Sequence, residues 1–371
     1  MNYGSAGEVR DSIRNLVNRR RNYNREITEL TTSYPYVVFY GCGIILRGII
    51  DKWNTHIGRK IDFCCDSDPK KWGKVFHGAT CISPDELILI KDQCAVFVTI
   101  GDFGPIFDFL EKMKFPSVNH IFKYDLMVSE SLQGEDPEQV TDNLCATYDL
   151  LADRQSKLVF WAIVERVLGD TSNINIMVDV CENNQYFPQD IILLSESESL
   201  VDIGAYDGDT IREFLKRTNG KFDRIFSFEL DAINFRKLEA NIQDIPGRER
   251  IKLYNVGIWD RECDVDYSTG LSNSTIGQGD AKGHVMPLDE VLKEEKVSFI
   301  KMDIEGAEPE ALRGAINLLK TQKPKLAICV YHDFRHLWEI PLYIASIVPE
   351  YKFYLRHHNY LEYETVCYAL P

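Results

Sequence analysis

The sequence lacks any long apolar run, and no stretch approaches the roughly 18 apolar residues that a membrane-spanning helix needs. The first part of the chain, "MNYGSAGEVRDSIRNLVNRRRNYNREITEL", also lacks the apolar segment of a secretion signal. We therefore expect a soluble, intracellular protein without a membrane span, and we place it in the cytoplasm.

Paired cysteines and clustered basic residues are also scarce. The ten cysteines form no C-x-x-C pair, and the closest two are the adjacent Cys64 and Cys65, so neither a zinc ribbon nor a disulfide framework is predicted. The one compact basic run is Arg19–Arg21. With 57 acidic residues against 42 basic ones, the net charge of -15 opposes binding to a nucleic-acid backbone. We expect no nucleic-acid partner.

The chain is long enough for two domains. Its 371 residues are 44% hydrophobic, which can fill a sizeable core in each. The pattern of apolar residues and turns divides it into four segments. These are an N-terminal helix within 1–34, a small Rossmann-like α/β domain at 35–124, a helical connector at 125–184 and a larger α/β domain at 185–371.

The first α/β domain is indicated by "YVVFYGCGIILRGIIDKW" at 36–53, which gives an apolar strand, a glycine turn and a helix. The strands "KIDFCCDSDP" and "CAVFVTIGD" follow, and a helix is expected around 104–113. A long amphipathic helix is predicted before them, over residues 8–30, and two more helices are predicted in the connector, at 137–151 and 154–168.

Seven strands are predicted in the larger domain. The first five are separated by helices or long crossovers and should be parallel. The last two are joined only by "NYLEYE", which is too short for a crossover, so they should form an antiparallel hairpin. The predicted sheet thus has five parallel strands and this hairpin, with one reversed strand closing the sheet at its edge. This arrangement resembles the sheet of class I methyltransferases. The predicted strands are 199–205, 223–230, 251–258, 297–304, 325–332, 352–358 and 364–370.

A glycine turn follows the first of these strands in "SLVDIGAYDGDTIREFL". Asp202 ends the strand, and Gly204 and Gly208 lie in the turn before a helix. The G-x-x-x-G spacing differs from the G-x-G-x-x-G of dinucleotide sites, and Asp202 suits the ammonium group of S-adenosylmethionine better than a pyrophosphate. Glu229 ends the next strand, where an acid binds ribose hydroxyls. The alternative is that Asp202 caps the helix and Glu229 is merely exposed.

The third strand ends in "YNVGIWD", where the base of a bound cofactor would lie. Asn255, Val256 and Gly257 are candidates for lining an adenine pocket. The alternative is a buried strand end.

The fourth strand runs into the charged segment "KMDIEGAE". If the strand continues, Lys301, Asp303 and Glu305 share one face, which would open at the crevice. Glu308 stands beside Pro309 at a helix start, where acids and an early proline are favourable, and we assign it a mostly structural role.

The DxGAxxG turn, the "FE" strand end and "FIKMDIEGAEPEALRGA" together resemble the FkbM family of S-adenosylmethionine-dependent methyltransferases. The resemblance covers residues from about 185 to 371. It implies a Rossmann-like methyltransferase fold and O-methylation of a hydroxyl on a sugar, glycan or natural product. Asp303 would face the methionine portion or the acceptor. The implied cofactor positions are Asp202, Gly204, Asp207 and Gly208 at the amino-acid head and Glu229 at the ribose.

Four histidines lie near the predicted carboxyl ends of the fifth and sixth strands, namely His332, His336, His357 and His358. His332 is our first choice for the proton acceptor. Lys301, Asp303 and Glu305 complete the catalytic candidates. For any single histidine the alternative is an ordinary polar group in a loop.

A divalent metal is a second use of the same side chains. Asp303, Glu305 and His332 offer oxygen and nitrogen ligands to magnesium or manganese, which would lower the pKa of an acceptor hydroxyl. We leave the metal open and commit no residue to it.

The front domain, through "FYGCGIILRG" and "DFCCDSDPKKWGKVFHGATCISPDEL", resembles the N-terminal Rossmann-like module of certain sugar acetyltransferases and related nucleotide-sugar proteins. Gly41, Gly43, Asp66 and Asp68 would be its binding positions, for a nucleotide-sugar or a glycan. The alternative is a packing or dimerisation module, which would make the protein a homodimer.

The function expected from these features is S-adenosylmethionine-dependent O-methylation of a sugar, glycan or nucleotide-sugar hydroxyl. The C-terminal tail resembles a subgroup of the family that is often associated with surface-polysaccharide genes. Two alternatives stay open, an NAD-dependent sugar oxidoreductase and a binding protein that keeps the methyltransferase fold without chemistry.

Overall fold

A computed structural model describes residues 6–20, 23–100, 104–121, 132, 134–169, 175–268, 275–276, 279, 281–359 and 363–371. The chain divides into two compact units. The first comprises Met1–Glu138 and Val164–Asn173, and the second comprises Gln139–Ile163 and Ile174–Pro371. The fourfold division expected from the sequence stays a prediction.

The first unit is built on a six-stranded sheet with the order β3-β4-β2-β1-β5-β6. The predicted parallel arrangement of β1, β2 and β5 is confirmed, whereas the antiparallel pair β3–β4 and the edge strand β6 were not predicted. The strands are β1 Tyr36–Tyr40, β2 Phe63–Cys65, β3 Val75–Phe76, β4 Ala79–Ile82, β5 Cys94–Val98 and β6 Val118–His120.

Helices cover this sheet. Trp53 is fully buried and packs edge-on against Phe39 of β1 at 4.9 Å and Phe97 of β5 at 5.0 Å between ring centres. The single helix predicted over 8–30 is two helices, and the residues between them, 21–22, lie outside the described part. The helices of this region are Ala6–Arg20, Tyr23–Ser33, Ile44–His56, Pro84–Leu89 and Gly104–Lys112.

Two sheets make up the second unit. The larger has seven strands in the order β16-β17-β15-β14-β7-β8-β9, and the smaller has four in the order β10-β13-β11-β12. The strands are β7 Ser199–Ile203, β8 Arg224–Phe228, β9 Ile251–Tyr254, β10 Gly257–Ile258, β11 Cys263–Ser268, β12 Thr275–Ile276, β13 Ala281–Met286, β14 Phe299–Met302, β15 Lys325–Cys329, β16 Lys352–His357 and β17 Thr365–Leu370.

The seven-stranded sheet confirms the predicted class I methyltransferase arrangement of five parallel strands and an antiparallel hairpin. The expectation of a reversed strand at the edge was wrong, because the reversed strand β17 lies between β15 and β16. The burial pattern explains this order. Nearly all of β17 is buried, so it needs a neighbour on each side, whereas the edge strand β16 begins with the exposed Lys352.

The small sheet was not predicted, and the strand expected at 251–258 is interrupted. The Asn255 side chain donates hydrogen bonds to the carbonyl oxygens of Glu229 and Leu230 at 2.8 and 3.1 Å, and the chain then enters β10. The sequence of β11, "CDVDYS", alternates apolar and polar residues, a strand signal that the prediction did not use.

The two helices expected in the connector are confirmed as Pro137–Leu150 and Arg154–Leu168. No helix in the described part of the chain is both long and apolar enough to cross a membrane. The remaining helices are Asn175–Val178, Asp209–Arg217, Ala232–Ile242, Leu288–Val291, Glu308–Arg313, Ile316–Gln322 and His336–Ile347.

A buried arginine joins the edge of the larger sheet to the segments beside it. Arg356 of β16 is 1% exposed, and its guanidinium lies 2.7 Å from Asp153 and 3.4 Å from Glu182, with a further ion pair to Asp190. It also donates to the hydroxyl of Ser156 at 3.0 Å. Arg356 therefore holds three acidic side chains that are distant in sequence.

Arg356→Ala should lower the free energy of unfolding by about 3 kcal/mol. The reason is that partly buried carboxylates lose the charge that compensates for their desolvation. Urea denaturation near neutral pH measures the change.

Arg261→Ala serves as the matched control. Arg261 pairs with Asp260 at 3.6 Å, but its side chain is 72% exposed, so its loss should change stability by no more than about 0.5 kcal/mol. Equal effects of the two substitutions would contradict the account of Arg356.

Candidate functional site

The strands β7, β8, β14 and β15 end at the same edge of the larger sheet. Their order places β14 between β7 and β15, and the register sets Lys301 opposite Asp202 on one side and Ala327 on the other. In an open α/β sheet this edge forms the ligand crevice. The predicted site residues of the first, second and fourth strands are therefore neighbours.

The turn after β7 leaves no room for a side chain at Gly204. Gly204 has φ +80, and a Cβ there would lie 1.9 Å from the carbonyl oxygen of Asp303. The amides of Gly204 and Ala205 both donate to the Phe228 carbonyl at 3.0 Å, which fixes the turn against the end of β8. Gly208, with φ +87, precedes the helix Asp209–Arg217. Only glycine fits the close backbone contact at position 204.

A buried ion pair lies beneath this turn. The Lys301 ammonium is 3.1 Å from Asp202, and their side chains are 3% and 0% exposed. Lys301 also donates to the Gly204 carbonyl at 2.6 Å and lies 5.2 Å from the ring centre of Tyr186. Asp202 thus faces a cation of the protein where the sequence predicted a ligand ammonium, and Lys301 is enclosed rather than open to an acceptor.

Glu229 lies just beyond the end of β8. It is 7% exposed, and its two carboxylate oxygens accept hydrogen bonds from the amides of Tyr206 and Asp231, each at 2.9 Å. A carboxylate has about four lone-pair sites, so each oxygen keeps capacity for a further donor. Burial raises the pKa of Glu229, and the two amide hydrogen bonds oppose that shift.

Two other predicted cofactor residues have partners within the protein. The carboxylate of Asp207 pairs with Arg212 at 2.9 Å. A Cβ on Gly257 would lie 3.0 Å from Val285 and 3.4 Å from Leu230, so this glycine packs against β13 of the small sheet. Their contacts with a cofactor stay predictions.

Asp303 follows the last residue of β14 and is held by two tyrosines. Its carboxylate accepts from the hydroxyl of Tyr186 at 2.7 Å and from that of Tyr331 at 3.1 Å. Its amide donates to the Ile203 carbonyl at 3.0 Å, which continues the pairing with β7. Although burial acts to raise it, the pKa of Asp303 lies below its usual range because of Lys301, His332 and these hydroxyls.

His332 lies among three carboxylates. Its Nδ1 atom is 2.9 Å from Glu308, and its Nε2 atom is 3.4 Å from Asp303 and 3.6 Å from Glu305. Glu308 is fully buried and also lies 3.5 Å from His336, the first residue of the helix His336–Ile347. We call Asp303, Glu305, Glu308 and His332 the acid–imidazole cluster.

The pKa values in this cluster and in the Asp202–Lys301 pair are set by burial and by the excess of carboxylates over cationic groups. Burial raises the pKa of Glu305 to about 7 and that of Asp202 to about 6. For His332, burial acts to lower the pKa, but the neighbouring carboxylates, Glu308 above all, raise it to about 9. The imidazole thus carries a proton at neutral pH when the acids are its only partners.

The other histidines near the strand ends do not join the cluster. His357 is fully buried, with Nδ1 2.8 Å from the Thr365 hydroxyl. His358 contacts the Glu182 carbonyl and the Tyr368 hydroxyl, each at 3.0 Å, and burial lowers its pKa to about 4. Both link local segments of the second unit.

In the first unit, the predicted acidic positions stabilise the protein itself. Asp66 accepts from the amides of Cys42 and Asp68 and pairs with Lys71 at 2.7 Å. Asp68 caps the short helix that begins at Pro69. A Cβ on Gly41 would lie 2.8 Å from the Thr99 carbonyl oxygen, so this glycine serves close backbone packing. Ligand binding here stays a prediction.

Sequence reasoning missed two members of the site region, Tyr186 and Tyr331, and gave two others, Glu308 and His336, no specific role in the site. Tyr186 comes from the segment before β7, and no motif identified it. Tyr331 directly precedes His332, so proximity was the one available signal. Glu308 was assigned a mostly structural role, and His336 was not ranked. All four contact other residues of the site, and these contacts form only when the chain folds.

Residues 202–362 match the family model described as the methyltransferase FkbM domain. This stretch of the second unit is similar to the FkbM methyltransferase domain. The chain is thus an S-adenosylmethionine-dependent methyltransferase, as the resemblance implied. No curated protein matches the sequence.

Among solved structures, the methyltransferase FkbM from Methylobacillus flagellatus KT is similar, with a TM-score of 0.81 and 22% identity. The match covers 98% of this chain and 100% of that one, so it extends over the first unit as well. At this identity it shows the fold alone. The resemblance of the first unit to acetyltransferase modules is not supported.

Two further methyltransferases match only part of the chain. An rRNA methylase from Streptococcus thermophilus has a TM-score of 0.32 and 15% identity, covering 48% of this chain and 90% of its own. M. capricolum TrmK, solved with S-adenosylhomocysteine, has a TM-score of 0.28 and 13% identity, covering 53% and 66%. TM-scores this low say nothing about the function of the present chain.

Gly204→Ala should disrupt the domain far more than an ordinary glycine substitution, because the added Cβ would meet the Asp303 backbone. Gly220→Ala is the matched control, since Gly220 has φ +72 but open space around it. We expect Gly220→Ala to cost about 1 kcal/mol for its left-handed backbone. Gly204→Ala should cost several times more and abolish S-adenosylhomocysteine binding.

Urea denaturation and calorimetric titration with S-adenosylhomocysteine measure these effects. Similar stability and affinity for the two variants would contradict the close contact between the turn and the end of β14.

Proposed function

We propose that the protein transfers a methyl group from S-adenosylmethionine to a hydroxyl of a sugar, glycan or nucleotide-sugar. The observation that carries this proposal is the direct contact between the glycine turn and the acid–imidazole cluster. The backbone of Asp303 closes against Gly204, while the side chain of Asp303 belongs to the cluster. A cofactor cradle and a group of proton-accepting side chains are therefore adjacent.

The residues around the turn fit S-adenosylmethionine. The turn leads into the N-terminus of the helix Asp209–Arg217, which favours a negative group such as the cofactor carboxylate, and Glu229 has lone pairs for two ribose hydroxyls. Asp202 acts through Lys301, which holds the turn by its bond to the Gly204 carbonyl. When bound, the cofactor supplies an electrophilic methyl group and retains the sulfur–carbon electron pair as that bond breaks.

The cluster suits an acceptor hydroxyl. Asp303, Glu305 and His332 present carboxylate and imidazole groups that can orient a hydroxyl, and we assign Glu305 to receive its proton as the new oxygen–carbon bond forms. Asp303 also keeps a fixed orientation through its two tyrosine hydroxyls. We assign these three residues to the acceptor and the adjacent turn to the cofactor.

An aromatic surface beside the cluster supports a saccharide as the acceptor. The ring of Tyr331 lies 6.3 Å from that of Tyr363, nearly perpendicular to it, and Tyr363 is 44% exposed. Ligand sites commonly combine such aromatic rings with a few well-placed polar groups. A polyhydroxylated ring offers both an apolar face and several hydroxyls to this arrangement.

Incubating the protein with S-adenosylmethionine labelled in its methyl group and a mixture of sugars, nucleotide-sugars and glycans should yield a labelled, O-methylated saccharide. Mass spectrometry identifies the product and the position of the methyl group. The two halves of the site predict different effects in variants.

Glu229→Ala should weaken S-adenosylhomocysteine binding about tenfold or more through the loss of charged hydrogen bonds. His332→Ala should leave that affinity nearly unchanged and reduce turnover. A chain that binds NAD but not S-adenosylhomocysteine, or variants with equal effects on affinity, would refute the assignment.

A further inference from the structure

We propose that Asp303, Glu308 and His332 bind one divalent transition-metal ion, such as manganese, iron, cobalt or zinc, through carboxylate oxygens and an imidazole nitrogen. Each offers one ligand atom, and these three atoms lie within 4.8 Å of one another. The sequence suggested Asp303, Glu305 and His332 as possible ligands, whereas here Glu308 takes the place of Glu305. Binding of the ion does not depend on the proposed function. The role of the ion in catalysis does rest on the proposed function.

The three side chains are close enough for one ligand atom of each to bind a common ion. The two nitrogens of His332 face different carboxylates, because Nδ1 lies 2.9 Å from Glu308 and Nε2 lies 3.4 Å from Asp303, so only one of these nitrogens belongs to the ligand set. Ligands that are each about 2.0–2.2 Å from a transition metal are roughly 3 Å apart when adjacent. The three ligand atoms lie within 4.8 Å of one another, so they need to approach by about 1–2 Å to share an ion.

Buried atoms without hydrogen bonds provide an independent indication. Glu308 is 0% exposed, and one of its oxygens accepts from the Ile304 amide at 2.9 Å. Its other oxygen has no hydrogen-bond partner among the described residues, and the Nε2 atom of His332 has none in that same part of the chain. Buried polar atoms in this state are costly, and a bound cation would give them a partner.

The charges of the cluster favour a cation. Three carboxylates, Asp303, Glu305 and Glu308, surround the single imidazole of His332. The nearby Lys301 is already paired with Asp202. A divalent ion would compensate for the surplus negative charge in this buried site.

The donor types narrow the choice of ion. Carboxylates alone would suit magnesium or calcium, but an imidazole ligand favours manganese, iron, cobalt or zinc. His336 lies 3.5 Å from the second oxygen of Glu308, the one that His332 does not contact, and can help to orient that carboxylate.

The ion would give Glu305 a distinct place in the proposed reaction. A coordinated acceptor hydroxyl loses its proton more readily. Glu305, 3.6 Å from His332, lies beside the ligand set without belonging to it. It would then receive that proton while Asp303 and His332 hold the ion.

Mn²⁺ titration of the full, chelator-treated chain, followed by electron paramagnetic resonance, tests the site. We expect one tightly bound ion per wild-type chain, displaced by Zn²⁺ more readily than by Mg²⁺. His332→Ala and Glu308→Gln should each weaken Mn²⁺ binding at least tenfold. Titration with S-adenosylhomocysteine in parallel shows whether each variant is folded and tests the proposed function separately.

His284→Ala is the matched control. His284 also lies between two carboxylates, at 2.9 Å from Asp264 and 3.2 Å from Glu262, but this surface group lies on the small sheet. Its substitution should leave the tight Mn²⁺ binding unchanged.

A crystal of the wild-type chain soaked in Mn²⁺ should show an anomalous scattering peak within bonding distance of Asp303, Glu308 and His332. This measurement decides the question even if a variant does not fold. A wild-type chain that binds no Mn²⁺, a peak elsewhere, or tight binding that His284→Ala removes would overturn the proposal. Loss of S-adenosylhomocysteine binding with Mn²⁺ binding intact would refute the proposed function alone.

Discussion

The buried ion pair between Asp202 and Lys301 is the interaction on which the rest of the site depends. It joins the ends of two neighbouring strands, β7 and β14, where two unpaired charges would be costly. Through its bond to the Gly204 carbonyl, Lys301 also fixes the glycine turn. The glycine turn and the end of β14, to which we assign the cofactor and the acceptor, are thus held by a single pair of charges.

Much of this architecture could be predicted from local pattern. The alternation of apolar strands with helices indicated the parallel sheet, and the turn with Gly204 and Gly208 indicated a ligand at its edge. The order of β16 and β17 in the sheet was harder to predict, because it depends on which of the two strands needs neighbours on both sides. The small sheet gave only a short signal, because β11 alternates apolar and polar residues over six positions and β13 has no large apolar residue in its first four.

The side-chain partners required the folded structure. Alternation along a strand suggested that Lys301, Asp303 and Glu305 share one face, but β14 ends at Met302. Glu305 then adopts φ +57 and Gly306 φ +101, and this turn directs Glu308 back toward His332. No periodic pattern predicts a reversal of this kind, so Glu308 looked like an ordinary acid at a helix start.

A double-mutant cycle on Asp202→Asn and Lys301→Met, followed by urea denaturation, tests the role of the ion pair most directly. Lys301→Met alone should destabilise the fold by about 3 kcal/mol, since it leaves Asp202 buried without a counter-charge. The double variant should recover much of this loss, with a coupling free energy of about 2 kcal/mol or more. Additive effects of the two substitutions would contradict the central place given to this pair.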